Sequence, residues 1–179
     1  MTPLPRKALP AIVIMSLIVA GCTSAPRQAR TSSSLTPQQF SVDPQRSDGT
    51  TFDPCRAFSS GALTKWGVDP KPYAQVGTPA QPARGCEWKA PDWDFTVLVA
   101  NKTIADYVRD QGARELPVAG RTGAIGTGGP DTCYVTVPAQ RASVSIGIGI
   151  TSSNTAVVDP CAKATAIAAD VVTYLPPPG

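Results

Sequence analysis

Five cysteines constrain the fold of this chain more than any other feature: Cys22 stands apart near the N-terminus, and Cys55, Cys86, Cys133 and Cys161 are spread through the rest. An even set of four in an exported domain reads as a disulfide framework, and four cysteines allow three pairings. Proximity along the chain favours Cys55 with Cys86 and Cys133 with Cys161, each stapling a helix start to a neighbouring strand. A closed loop of about 30 residues is worth roughly 3.5 kcal/mol in the chain-entropy model. A zinc site or a redox pair calls for close spacing such as Cys-x-x-Cys, which the chain lacks. No metal and no cofactor are therefore expected.

Export is read from the first residues. Arg6 and Lys7 form a short basic region before the apolar run from Ala11 to Ala20. That run is too short for an ordinary membrane span of about 20 residues, and the parts are those of a signal peptide. Its end, Val19-Ala20-Gly21-Cys22, resembles the bacterial lipobox. The resemblance implies cleavage before Cys22 and acylation of that cysteine. Residues 1–21 are thus expected to be a lipoprotein signal peptide, with Cys22 lipidated and the protein on the extracytoplasmic face of the cell membrane. Two or three acyl chains, at about 0.8 kcal/mol per buried methylene, make such an anchor effectively permanent.

Residues 22–51 read as a tether. From Thr23 onward the segment is rich in Ser, Thr, Pro and Gln, with little beyond Leu35, Phe40 and Val42 to bury, so it cannot offset the entropy of ordering. As a flexible coil it would hold the domain roughly 30 Å from its anchor. The domain is expected over residues 52–175, and Pro176-Pro-Pro-Gly179 should end the last helix and trail away.

Charge and composition remove several functions. Residues 52–179 hold equal numbers of acidic and basic side chains, which leaves no electrostatic footprint for nucleic acid. The chain has no histidine, so the commonest general base and metal ligand is missing. Only 6% of residues are aromatic and 16% charged; small apolar side chains must fill the interior.

Asp53-Pro54-Cys55 and Asp159-Pro160-Cys161 repeat one pattern near the two ends of the domain. Each offers an N-cap, a proline for the first helical position and a cysteine in the first turn. The expected elements are a helix from Asp53 to Trp66, a hairpin of Gly85–Lys89 with Asp94–Ala100, and an amphipathic helix after Asn101 or Thr103 that ends at Gly112. Short strands follow over 115–118 and 122–125. Residues 126–131 turn into a strand over 132–137, and a helix from Pro160 to Tyr174 closes the domain. The clearest period-two pattern is Val144, Ile146, Ile148 and Ile150 alternating with Ser143, Ser145, Gly147, Gly149 and Thr151. The order implies an α+β fold: an antiparallel sheet with helices packed mainly on one face and two disulfides.

Candidate sites are few. Ser59 and Ser60 lie near Lys65, but a helix surface accounts for them better than a Ser–Lys dyad. Asp92 and Asp94 flank Trp93, a pattern suited to carboxylate chemistry on glycans, yet polar residues at this spacing are what turns use. Trp93 itself is a candidate contact for sugar, lipid or protein. The run Gly123–Gly129 lacks the lysine and the following helix of a phosphate-binding loop. The small-residue face that includes Gly147 and Gly149 admits two readings, close cover by a helix, which is favoured, or the floor of a groove for an acyl chain or peptide.

The set Phe52-Asp-Pro-Cys55, Trp66-Gly67, Gly85-Cys86-Glu-Trp88, Cys133 and Asp159-Pro-Cys161, together with the lipobox, resembles a family of actinobacterial cell-envelope lipoproteins of unknown function, the Lpr type. The resemblance spans most of residues 52–175. It implies an envelope location and a two-disulfide α+β domain related to extracellular sensor domains of bacterial kinases; it supplies no active-site residues. The resulting expectation is a non-enzymatic lipoprotein that binds or senses a lipid, glycan or protein partner. A wall or lipid hydrolase using carboxylates and a purely structural subunit are the alternatives.

Overall fold

The computed structural model describes residues 42–151 and 158–179. The expected signal peptide, Cys22 and the tether up to residue 41 lie outside the described residues. In chain order the elements are α1 (Ser60–Trp66), β1 (Ala74–Val76), β2 (Ala83–Lys89), β3 (Trp93–Ala100), α2 (Ile104–Gln111), β4 (Arg114–Val118), β5 (Arg121–Gly129), β6 (Thr132–Ala139), β7 (Ala142–Ile150) and α3 (Pro160–Val171). The strands form one seven-stranded sheet in the order β1-β2-β3-β7-β6-β5-β4, and every neighbouring pair is antiparallel. The α+β expectation holds, with α1 and α3 on one face and α2 on the other.

Alternation builds the two faces. In the register of β3, β7 and β6, Phe95 pairs with Ile148, Val97 with Ile146 and Val99 with Val144, while Cys133, Val135 and Val137 continue the rows. Cross-strand partners share a face, and all of these side chains are fully buried. Against them pack Ala164, Ile167, Ala168 and Val171 of α3. Trp66 of α1 meets Phe95 edge-on, with ring centroids 5.6 Å apart. Asp170 ties the two helices together, accepting from Trp66 Nε1 and Lys65 Nζ, both at 2.9 Å.

The disulfides pair as the spacing predicts, Cys55 with Cys86 and Cys133 with Cys161. Cys86 and Cys133 both point to the apolar face, so each bridge fastens a chain segment onto the core side of the sheet. The Asp-Pro-Cys repeat has two outcomes. Asp159 caps α3, its carboxylate accepting from the N–H groups of Cys161 and Ala162. Asp53 instead closes a single turn, because the bridge and a tight bend end it before Ser59 caps α1. The expected helix from Asp53 is thus shorter and later.

Three further differences are corrections. β5 runs on to Gly129 through a register shift near Thr127, so the turn expected over 126–131 narrows to Pro130 and Asp131. The tether expectation fails over residues 43–51, where Ser47 and Thr50 are buried. There Arg84 donates to the carbonyls of Ser47, Thr50 and Phe52, and Asn101 bonds the Asp43 carbonyl and the Gly49 N–H. The C-terminal prolines do not trail away: Arg121 donates to the carbonyls of Leu175 and Pro176, and Gln140 pairs with the backbone of Pro177 and Gly179. At both termini a half-buried arginine satisfies several carbonyls that would otherwise need water.

Replacing Cys133 and Cys161 together by alanine should lower the unfolding free energy by about 3.5 kcal/mol, measured by denaturant titration, with no effect on the Cys55–Cys86 bridge.

Candidate functional site

The second face of the sheet is built of small side chains: Ala83 on β2, Leu98 and Ala100 on β3, Ser143 and Ser145 on β7, Tyr134 and Thr136 on β6, and Ala124 and Gly126 on β5. Over it lies α2. Its start is fixed by a capping box: the Thr103 hydroxyl accepts from the Asp106 N–H, and the Asp106 carboxylate accepts from the Thr103 N–H at 2.8 Å. Gly112, at φ 65°, ends it in the left-handed conformation that glycine tolerates. None of the α2 residues is fully buried, so the helix stands off the sheet. A groove of about 430 Å³ lies between them, within the range of roughly 300–1,000 Å³ typical of small-ligand sites.

Two tyrosines set its shape. Tyr107 reaches down from α2, and its hydroxyl lies 3.2 Å from Ser143 Oγ and 3.5 Å from Ser145 Oγ. Ser145 in turn lies 2.8 Å from Thr136 Oγ1, and Ser143 also donates to the Ala100 carbonyl. The floor hydroxyls therefore satisfy one another. Tyr134 lies flat on the sheet between Gly147 and Gly128, where a Cβ on either glycine would strike its ring. This is an aromatic ring covering bare strand backbone. Lys102 stands beside α2 as the only charged residue lining the groove among the described residues, with its ammonium 5.8 Å from the Tyr107 ring centroid.

A family model described as protein of unknown function (DUF3558) matches residues 17–174. The chain belongs to that family. No curated protein and no solved structure matches it. The part matched to DUF3558 takes in Cys22, both disulfides and every strand.

The sequence-derived candidates fall in different places in this DUF3558 domain. Gly147 and Gly149 lie on the small-residue face, Gly147 beneath Tyr134 and Gly149 beside Thr132. Gly147 is covered by the Tyr134 ring of β6 rather than by a helix, and on β7 the groove is lined by Ser145, not by either glycine. Trp93 lies on the opposite face, buried at 6% exposure with the Lys163 ammonium 4.8 Å from its ring centroid. It faces the helix layer, away from the groove. Asp94 is held by Lys89 at 2.7 Å at the β2–β3 hairpin, and neither Asp92 nor Asp94 lines the groove. Ser59 serves as the α1 cap and Lys65 pairs with Asp170. Gly123–Gly129 forms a strand. Among the described residues no cluster of three or more His, Cys, Asp or Glu could hold a metal, and no helix is long and apolar enough to cross a membrane.

Sequence reasoning reached one strip of the groove, the β7 face that supplies Ser145, and missed the rest. Lys102, Leu98, Ala124, Gly126 and Tyr134 carry no local motif. Tyr107 was visible on the apolar side of α2, but not its reach to Ser143.

Tyr107→Ala should loosen α2 while leaving the sheet intact. Faster amide exchange confined to residues 104–111, with an overall cost of about 2 kcal/mol, is the expected result. Asp106 yields a pH prediction as well. Hydrogen bonds from the Thr103 backbone and side chain, then Arg109, hold its carboxyl below the usual range. Its contribution is therefore complete above the ordinary aspartate value of about 4 and is lost as the pH falls through the lower folded value. Amide protection in α2 should fall below about pH 4 in the parent protein. In Asp106→Asn that acid-dependent loss should disappear.

Proposed function

We propose that this DUF3558 member is a lipid-anchored cell-envelope protein, acylated at Cys22, that binds a small apolar ligand at the membrane surface without transforming it. The observation that carries the binding role is the groove between α2 and the small-residue face of the sheet. Among the described residues its lining offers no carboxylate and no thiol, and the chain has no histidine, so the groove is furnished for contact rather than for proton or acyl transfer.

Export and anchoring are supported by other features. Val19-Ala20-Gly21-Cys22 follows a basic and apolar leader, and two disulfides fit an oxidising compartment outside the cytosol. The closer kinship we propose is with actinobacterial Lpr-type lipoproteins, on the strength of the Asp-Pro-Cys and Gly-Cys-x-Trp motifs. An acyl anchor at Cys22 would keep the groove near bilayer and envelope lipids, on a short polar spacer.

Two measurements test the proposal. Cells fed an alkyne-labelled palmitate should label the parent chain and not Cys22→Ala; equal labelling of both would refute anchoring at Cys22. Native mass spectrometry of protein extracted from its host should show a bound small molecule that is lost from a variant with the groove filled. A ligand-free protein would refute the binding role.

A further inference from the structure

We infer that the groove takes one unbranched acyl chain ending in a carboxylate, a fatty acid, with its carboxylate beside Lys102. The inference rests on reading the groove as a binding site and names the class of ligand it selects. The lining residues trace a path across the strands, from Ala83 on β2 through Leu98, Ser145 and Thr136 to Ala124 on β5, on which Ser145, Thr136 and Ala124 are buried and the Tyr107 hydroxyl lies 3.5 Å from Ser145 Oγ. Five adjacent strands at about 4.8 Å spacing make that path roughly 19 Å long, the shape of an extended chain rather than of a compact ring.

The chemistry of the floor argues the same way. Its main-chain N–H and C=O groups point along the sheet and are spent in the strand ladders, so an approaching peptide would find no backbone partners there. The hydroxyls of Tyr107, Ser143, Ser145 and Thr136 already bond one another, so water can leave the floor without stranding a polar group. A sugar would lose its own hydrogen bonds on such a surface, whereas methylenes lose nothing. Leu98, Ala83, Ala100, Ala113 and Ala124 supply the apolar contact. Lys102 is the only charge among the described lining residues, and it selects an anion in an otherwise neutral channel.

The test uses the compact unit Gln39–Gly179, which contains the buried core and both disulfides. Isothermal titration with decanoate, dodecanoate and tetradecanoate, each below its aggregation threshold, should show affinity rising about fourfold per added methylene. Lys102→Ala should weaken dodecanoate about fivefold and leave dodecanol unchanged. Gly126→Leu should abolish binding. A Cβ at Gly126 meets only Ala113 at 3.4 Å, so that variant fills the channel while keeping the parent melting midpoint.

Affinity independent of chain length, or parent-like binding in a folded Gly126→Leu, would overturn the inference. A peptide of residues 23–41 that binds the unit where fatty acids do not would also overturn it, while leaving the groove a binding site. Failure of both probes, together with ligand-free protein from the host, would remove the binding role itself.

Discussion

The pairing of β3, β7 and β6 at the centre of the sheet is the contact on which the remainder depends. Three strands in antiparallel register place a continuous block of Val, Ile, Phe and Cys on one side and Ser, Thr, Gly and Ala on the other. Because side chains alternate with a period of two, the composition of one face is independent of the other. A one-residue slip would exchange them, exposing the apolar rows and burying hydroxyls. The strong contrast between the faces therefore protects the register, and the register in turn places every other element.

On the apolar side the structure is held by covalent and aromatic contacts. Both disulfides land there, and Phe58 brings the rings of Phe52, Trp66, Trp88 and Tyr174 into mutual edge contact. Few aromatics are present in the chain, and with Phe95, which also packs on Phe58, this cluster takes six of the eleven. The termini of the domain are held differently. Arg84 gathers the carbonyls of the entering segment, Arg121 those of the departing one, and Gln140 touches both. Gln140 adopts φ 53° to do so, an unfavourable conformation for a residue with a side chain, which its contacts to Thr51, Pro177 and Gly179 offset.

The other face is where a small chain can have a site without weakening its core. Since α1 and α3 already seal the apolar side, α2 need not bury a full hydrophobic stripe. It is anchored by its caps and by Tyr107, and the space beneath it is lined by residues chosen for small size. Glycine serves two purposes here. Gly147 and Gly128 make room for the Tyr134 ring, and Gly126 leaves the channel open. A binding role and a stable fold thus draw on different residues.

Local pattern carried much of this. The cysteine spacing, the alternation over residues 143–151, the caps at Thr103 and Asp159 and the helix face of Ala164, Ile167, Ala168 and Val171 are short-range signals, legible because each depends on neighbours a few residues away. The same reasoning marked the small-residue face of residues 143–151, of which Ser145 lines the groove. It misplaced Trp93, because a tryptophan between two aspartates looks like a surface feature until the pairing with Ile150 puts it on the apolar face. It ended the order at Phe52 and Leu175, because nothing local announces that Arg84 and Arg121 will meet carbonyls tens of residues away. By itself the sequence determined the positions of β2 to β7, the disulfides and the two-faced character of β7, but not β1, which lies in a proline-rich stretch that reads as an irregular connection. Only the tertiary structure decided that α2 crosses the small-residue face, since the contact that holds it there joins Tyr107 to Ser143 and Ser145, 36 and 38 residues further along the chain.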